Sequence, residues 1–260
     1  MRFQDRVAIV VGATSDPSIG RSCAFRLARE GASVVVSGRT AETVSEAEAT
    51  LRKDGYGAVG VCGSAEEDAM PARLVDAALD NFGRLDFLVN TVGGSPAIAP
   101  PLELDRDGLL ATFALNIWPG VALIQEAMRR GLADGGGAIV NISSGTVHKT
   151  TPSMIAYKAA KTALNAMTET FARELGPLGV RVNGVAPGLT RTFATKDLWS
   201  YGEREAQSQA LRSFTTADDI AGAVLFLLSD DARQVTGTVI DVDGGNRLAG
   251  GGSTPFAPAP

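Results

Sequence analysis

At 260 residues the chain has room for one large α/β domain or two small ones, and its 45% hydrophobic content suits a globule with a full core. Asp and Glu (29) outnumber Lys and Arg (24) to leave a net charge of −5, with no basic stripe for a phosphate backbone, which argues against nucleic acid as a partner. One histidine and no C-x-x-C pair leave no metal set; the early first strand and the lack of an apolar run of membrane length predict no signal peptide, no membrane partner and a cytoplasmic protein.

In chain order, short β-branched runs alternate with longer helical periods. VAIVV (Val7 to Val11) precedes an amphipathic segment from Ile19 to Glu30, which Gly31 stops. ASVVVSG (Ala32 to Gly38) leads to a helix over Ala41 to Asp54. GAVGVC (Gly57 to Cys62) leads to one over Met70 to Phe82. LDFLVN (Leu85 to Asn90) precedes a long helix around Asn116, from about Leu104 to Arg130. AIVNISS (Ala138 to Ser144), the helix of Tyr157 and VRVNGVAPG (Val180 to Gly188) follow. Continuous apolar strands separated by helices predict a doubly wound parallel sheet, covered by helices on both faces. With no linker in sight, residues 1–247 read as one domain, and the Gly- and Pro-rich residues 248–260 as a flexible tail. Cys23 and Cys62 read as small buried hydrophobes of a reducing compartment.

Between the first strand and helix lies GATSDPSIG, Gly12 to Gly20. Such a turn lets backbone N–H groups and a helix N-terminus hold a pyrophosphate. The spacing departs from G-x-G-x-x-G: no glycine falls between the two, and Ser15, Ser18 and Ile19 occupy the loop. The second strand ends in Ser37-Gly38-Arg39-Thr40, where an NAD site commonly carries an acid. Arg39 instead suits the 2′-phosphate of NADP(H), which is expected over NAD(H).

Ser144, Tyr157 and Lys161 carry the chemistry. Residues four apart on a helix lie one above the other, so the phenol and the ammonium share a face. A free tyrosine has a pKa of about 10, and a cation beside it is expected to pull that value down. Ser144, at a strand's carboxyl end, completes a set suited to moving a proton to or from a substrate oxygen. His148 reads as a loop residue that at most touches substrate, and Ser143 as structural.

These residues resemble the short-chain dehydrogenase/reductase family, in its main subfamily, over about Arg6 to Asn246. The resemblance implies a Rossmann fold and the ordered set Asn116, Ser144, Tyr157 and Lys161. The family's N-N-A-G segment is similar to Asn90-Thr91-Val92-Gly93, and its P-G-x-x-x-T segment to Pro187 through Thr192. Asp241 through Gly245 also matches. The glycine loop is spaced instead like that of the divergent enoyl reductases, whose tyrosine and lysine lie further apart. An Asp that meets the adenine in relatives is replaced near Gly63 and Ser64.

By resemblance, Tyr157 is the general acid in reduction and base in oxidation. Lys161 tunes it and binds the nicotinamide ribose, and Asn116 supports a water chain. Thr192 and the backbone beside Pro187 hold the carboxamide, with Gly188, Thr190, Asn90 and Gly93 also at the cofactor. The function expected is NADPH-dependent reduction of a ketone, or oxidation of a secondary alcohol. The alternatives are an enoyl reductase and a non-catalytic NADP-binding regulator. Relatives imply a homo-oligomer, a tetramer or dimer, and the apolar faces of the Ala156–Leu175 helix agree. Substrate choice is expected in Gly93–Leu104 and Arg191–Phe214, the latter holding Phe193, Trp199, Tyr201 and Phe214 as a lid over an apolar small molecule. Thr216 with Asp219 reads as a helix cap.

Overall fold

The computed structural model describes residues 1–132 and 135–248; the expected flexible tail lies, from residue 249, outside the described residues. Seven parallel strands form one sheet in the order β3-β2-β1-β4-β5-β6-β7. They are β1 (Val7–Val11), β2 (Ser33–Gly38), β3 (Ala58–Cys62), β4 (Phe87–Asn90), β5 (Gly137–Ile142), β6 (Val180–Pro187) and β7 (Val239–Val242). The order reverses at β1, which pairs with β2 on one side and β4 on the other. In a doubly wound sheet the crevice at that reversal is where a ligand binds, and the glycine loop sits on it.

Strand side chains alternate between faces. Ala8 and Val10 of β1 pack with Leu27 of α1 (Ile19–Arg29) and with Val224 and Leu228 of α7 (Ala217–Leu228). Val7, Ile9 and Val11 face the other way. They meet Leu74 of α3 (Met70–Phe82), Leu123 of α4 (Arg106–Arg129) and the layer completed by α5 (Ile155–Leu175). Each leucine fully buried at these seams is worth about 2 kcal/mol. Both faces are therefore covered in a single domain, and α2 (Ala41–Lys53) and α6 (Trp199–Ala206) complete the helices.

Four local findings amend the sequence reading. The strand expected to run to Ser144 ends at Ile142, because Ser144 turns to cap a short 3-10 turn, Gly145–Val147. β7 shows in the sequence only as part of the Asp241–Gly245 motif, since its four half-buried residues, Asp241 among them, carry little hydrophobic contrast. Helix α4 is, by length and composition, apolar enough to cross a membrane: its mean hydropathy reaches 1.4 although Gly108, Asn116, Pro119 and Gly120 interrupt the run. It lies between α3 and α5 as a layer of the domain. Cys23 is buried, whereas Cys62 is only half-buried, since β3 is an edge strand.

Asp86, just before β4, anchors one end of the sheet. Its carboxylate accepts from Arg6 at 2.7 Å, from Arg84 at 2.7 and 2.8 Å and from the Val7 N–H at 2.9 Å. Burial works to raise its pKa, and the bonds from Arg84, Arg6 and Val7 outweigh it and hold the carboxyl below its usual range.

Candidate active site

The glycine loop leaves β1 at Gly12 and enters α1 through Ser18. Ser18 has extended backbone (φ −147°, ψ 157°), and its hydroxyl accepts from the Arg21 N–H at 3.2 Å, capping the helix. Gly20 follows one residue into the helix. A Cβ there would lie 2.5 Å from the Gly12 carbonyl, so only glycine lets the helix start against the loop. The first turn of α1 thus opens towards a cleft of about 670 Å³.

Of the residues expected to hold a cofactor, Gly12, Ser15, Ser18, Ile19, Gly20, Arg39, Gly93 and Thr192 line that cleft. Asn90 does not; it lines a smaller void with Asn116, and its side-chain N–H donates to Asn141 across β4 and β5 at 2.8 Å. Thr40 is exposed at the start of α2 with no side-chain cap bond. Pro187, Gly188 and Thr190 lie behind the wall: the Gly188 N–H is taken by Val242 and the Thr190 hydroxyl by the Gly188 carbonyl. Thr14 also lines the cleft, a residue the sequence reading passed over. Its hydroxyl accepts from Thr43 at 3.2 Å, and its polar place inside the glycine loop was the available signal.

At one end of the cleft lie Arg39, Gly63, Ser64 and Glu66. Arg39 is exposed and has no ion-pair partner among the described residues, whereas nearby Arg21 is tied to Glu46 at 2.8 Å. No acid stands on the last residues of β2. A glycine-lined loop and a capped helix N-terminus in one cleft fit a nicotinamide dinucleotide.

Asn116 and Lys161 meet the cleft wall at Gly93. A Cβ on Gly93 would stand 2.6 Å from Asn116 Oδ1 and 2.8 Å from Lys161 Nζ, so the turn after β4 is threaded between them. Asn116 is buried in α4. Its Oδ1 accepts from the Gly94 N–H at 3.2 Å, and its Nδ2 donates to the carbonyls of Gly94 and Thr112, both at 2.8 Å. Those bonds fix the Gly93-Gly94 turn, and none reaches Lys161.

Tyr157 and Lys161 stand on successive turns of α5. Lys161 is 3% exposed; its ammonium donates to the Ile142 carbonyl at 2.9 Å, at the end of β5. Burial pulls its pKa down to about 8. The Ser144 hydroxyl accepts from the Thr146 N–H at 3.2 Å and the Thr146 hydroxyl at 3.0 Å. Burial raises the Tyr157 pKa and the nearby Ser144 hydroxyl works to lower it, with burial the stronger. The lowering expected from Lys161 is therefore overturned. Desolvation of the phenol, invisible in residue spacing, governs its titration.

His148 is drawn away from the site, with Nε2 3.0 Å from Asp241 Oδ1. Ser143 donates to Asn165 on α5, a structural tie between the end of β5 and α5. The expected aromatic lid is divided. Trp199 and Phe214 flank the Arg191 guanidinium, at 5.2 and 5.1 Å from its carbon, and so turn inward on their own segment. Phe193 and Tyr201 remain about half exposed. Thr216 and Asp219 form a reciprocal cap on α7.

The family model described as enoyl-(acyl carrier protein) reductase matches residues 12–247. The chain is 36% identical over 251 residues to a dehydrogenase/reductase SDR family member 4 of Caenorhabditis elegans, covering 94% of this chain and 96% of that protein. Among solved structures, a short-chain type dehydrogenase/reductase from Mycobacterium ulcerans superposes with a TM-score of 0.88 at 34% identity, covering 96% of this chain and 92% of that one. A 7α-hydroxysteroid dehydrogenase complexed with NADH and 7-oxo-glycochenodeoxycholic acid does so with a TM-score of 0.88 at 30% identity, covering 94% and 95%.

Proposed function

This chain belongs to the short-chain dehydrogenase/reductase family, an NAD(P)-dependent oxidoreductase by that membership, and on that premise we propose that it reduces a ketone with NADPH. The observation that carries the proposal is Tyr157, with Ser144 close enough to act on its hydroxyl and Lys161 one helical turn on, beside a dinucleotide-shaped cleft. The bound nicotinamide supplies or accepts the hydride.

The chain's residues handle the oxygen. The Tyr157 hydroxyl donates its proton to the substrate oxygen as charge develops there, and takes one back in the reverse direction. Ser144 donates a hydrogen bond to the same oxygen and orients it. The phenol, its pKa raised further by burial, is protonated at neutral pH, the form an acid needs. Lys161, whose amine titrates near 8, resupplies the proton in the pH range where an enzyme works. Asn116 holds the Gly93-Gly94 turn against both. Thr192, on the cleft wall, fixes the carboxamide, and Arg39 takes the 2′-phosphate.

The substrate is a small apolar carbonyl compound. Pro96 and Phe193 line the cleft, and the Ala99 N–H bonded to the Ser153 carbonyl at 3.1 Å ties two walls of the approach together. The exposed Leu110 and Trp118 of α4 and Ile155 of α5 suit burial against a second copy, and we assign the enzyme as a homo-oligomer on that ground. Enoyl reduction is the second reading, favoured by the glycine-loop spacing and the matching family model. Against it stands the four-residue separation of Tyr157 and Lys161.

Nicotinamide absorbance with NADPH and NADH, against cyclic ketones, β-ketoacyl thioesters and enoyl thioesters, separates the readings. NADPH oxidation by ketones but not enoyl thioesters is the expected result. The opposite preference replaces the first reading with the second.

A further inference from the structure

The length of the glycine loop is left without a purpose by the chemistry above. Seven residues separate Gly12 from Gly20, against four between the outer glycines of G-x-G-x-x-G. Within that length Pro17 reaches the segment that carries Phe193. There the Pro17 carbonyl accepts from the Phe193 N–H at 2.7 Å. Ser15, Ser18 and Ile19 line the cleft on the loop side, and Phe193 and Ala194 line it opposite. A backbone hydrogen bond therefore joins the two walls.

The arm that presents Phe193 is braced from within. The Thr195 hydroxyl donates to the Thr190 carbonyl at 2.6 Å and accepts from the Thr192 N–H at 3.1 Å. The Trp199 indole N–H donates to the Thr192 carbonyl at 3.1 Å. Arg191, flanked by Trp199 and Phe214, is also paired with Glu203 at 2.7 Å. Every brace falls on Thr190 to Thr192 or the turn after it, the residues that aim the Phe193 N–H. The inward aromatics thus have a task that no contact with substrate supplies.

We infer that Pro17 and Phe193 form a clasp across the cleft, and that the coenzyme leaves only when the clasp opens. The inference rests on reading the cleft as the dinucleotide site. Its test is a pair of substitutions at one position. Phe193→Pro removes the N–H, and the backbone accepts it. Thr192 is already extended (φ −135°, ψ 165°), as a residue before proline must be, and Phe193 is the first residue of its 3-10 turn, where proline is tolerated. Phe193→Ala keeps the N–H and removes the ring.

NADPH release is followed by stopped-flow fluorescence in both variants and the parent enzyme. Release at least fivefold faster from Phe193→Pro than from Phe193→Ala is the expected result. Equal rates in the two, with NADPH bound by both, overturn the clasp and leave the reading of the cleft intact. Failure of the parent to bind NADPH or NADH overturns both. Hydrogen exchange on the unaltered protein is independent of any folding defect: the Phe193 amide is expected to be protected without nucleotide and further protected with it. Exchange at the intrinsic rate in both states overturns the clasp.

Discussion

Lys161 Nζ lies 5.8 Å from the centre of the Tyr157 ring and sends its hydrogen bond to the Ile142 carbonyl. The lysine is thus held beneath the tyrosine and stripped of water, which brings its titration to about 8. The unfolded chain keeps that amine protonated up to about pH 10.4, so between pH 8 and that value it binds more protons than the native state. The Lys161 contribution to stability therefore rises with pH across that window. Isotope-edited NMR of the lysine Cε signals should show one titrating near pH 8, missing in Lys161→Met. A Lys161 signal unmoved until pH 10 contradicts this.

Tyr157→Phe should cut kcat by about 10²–10⁴-fold with the melting temperature kept, since only a hydroxyl is lost. Ser144→Ala removes the hydroxyl that works to lower the Tyr157 pKa. Its pH–rate profile for alcohol oxidation, where the phenolate is the active form, should shift to higher pH than the parent's. Initial rates across pH 6 to about 11 read the shift.

Arg39→Ala should weaken NADP(H) binding by about tenfold to a hundredfold, the loss of one charge-assisted contact, and leave NAD(H) nearly untouched. Calorimetric titration of each coenzyme gives the ratio. Equal losses for both place the 2′-phosphate elsewhere.

Asp86→Asn should destabilise the fold by about 2 kcal/mol at pH 7, because three buried or half-buried donors lose a charged acceptor. The folded pKa of Asp86 is depressed, so its contribution is present above the unfolded value of about 3.9 and fades as pH falls through the folded one. Denaturant midpoints of parent and variant should differ at pH 7 and draw together as pH falls below about 4.

Much of the fold could be read from the chain because the strands are β-branched runs, continuous and apolar in β1, and Tyr157 and Lys161 announce themselves by helical spacing. What stayed hidden depends on solvent. β7 carries too little apolar contrast, and nothing in the order of residues says that Tyr157 is desolvated more strongly than Ser144 can offset, with no help from Lys161. Trp199 and Phe214 were legible as a cluster but not as partners of Arg191, since the cation that claims them lies on the same segment as the substrate wall. Pro17 and Phe193 are 176 positions apart, and only the fold brings a carbonyl to an amide.

The two sulfhydryls give the experimenter unequal handles. Cys23 is sealed under α1 with a thiol pushed up to about 12, so it stays protonated and out of reach of alkylating reagents. Cys62 is half-buried at the end of β3, its sulfur 3.7 Å from the Arg39 carbonyl and its neighbour Gly63 in the cleft wall. A maleimide dye should therefore attach once, without prior removal of either cysteine, and report on nucleotide from beside its own berth.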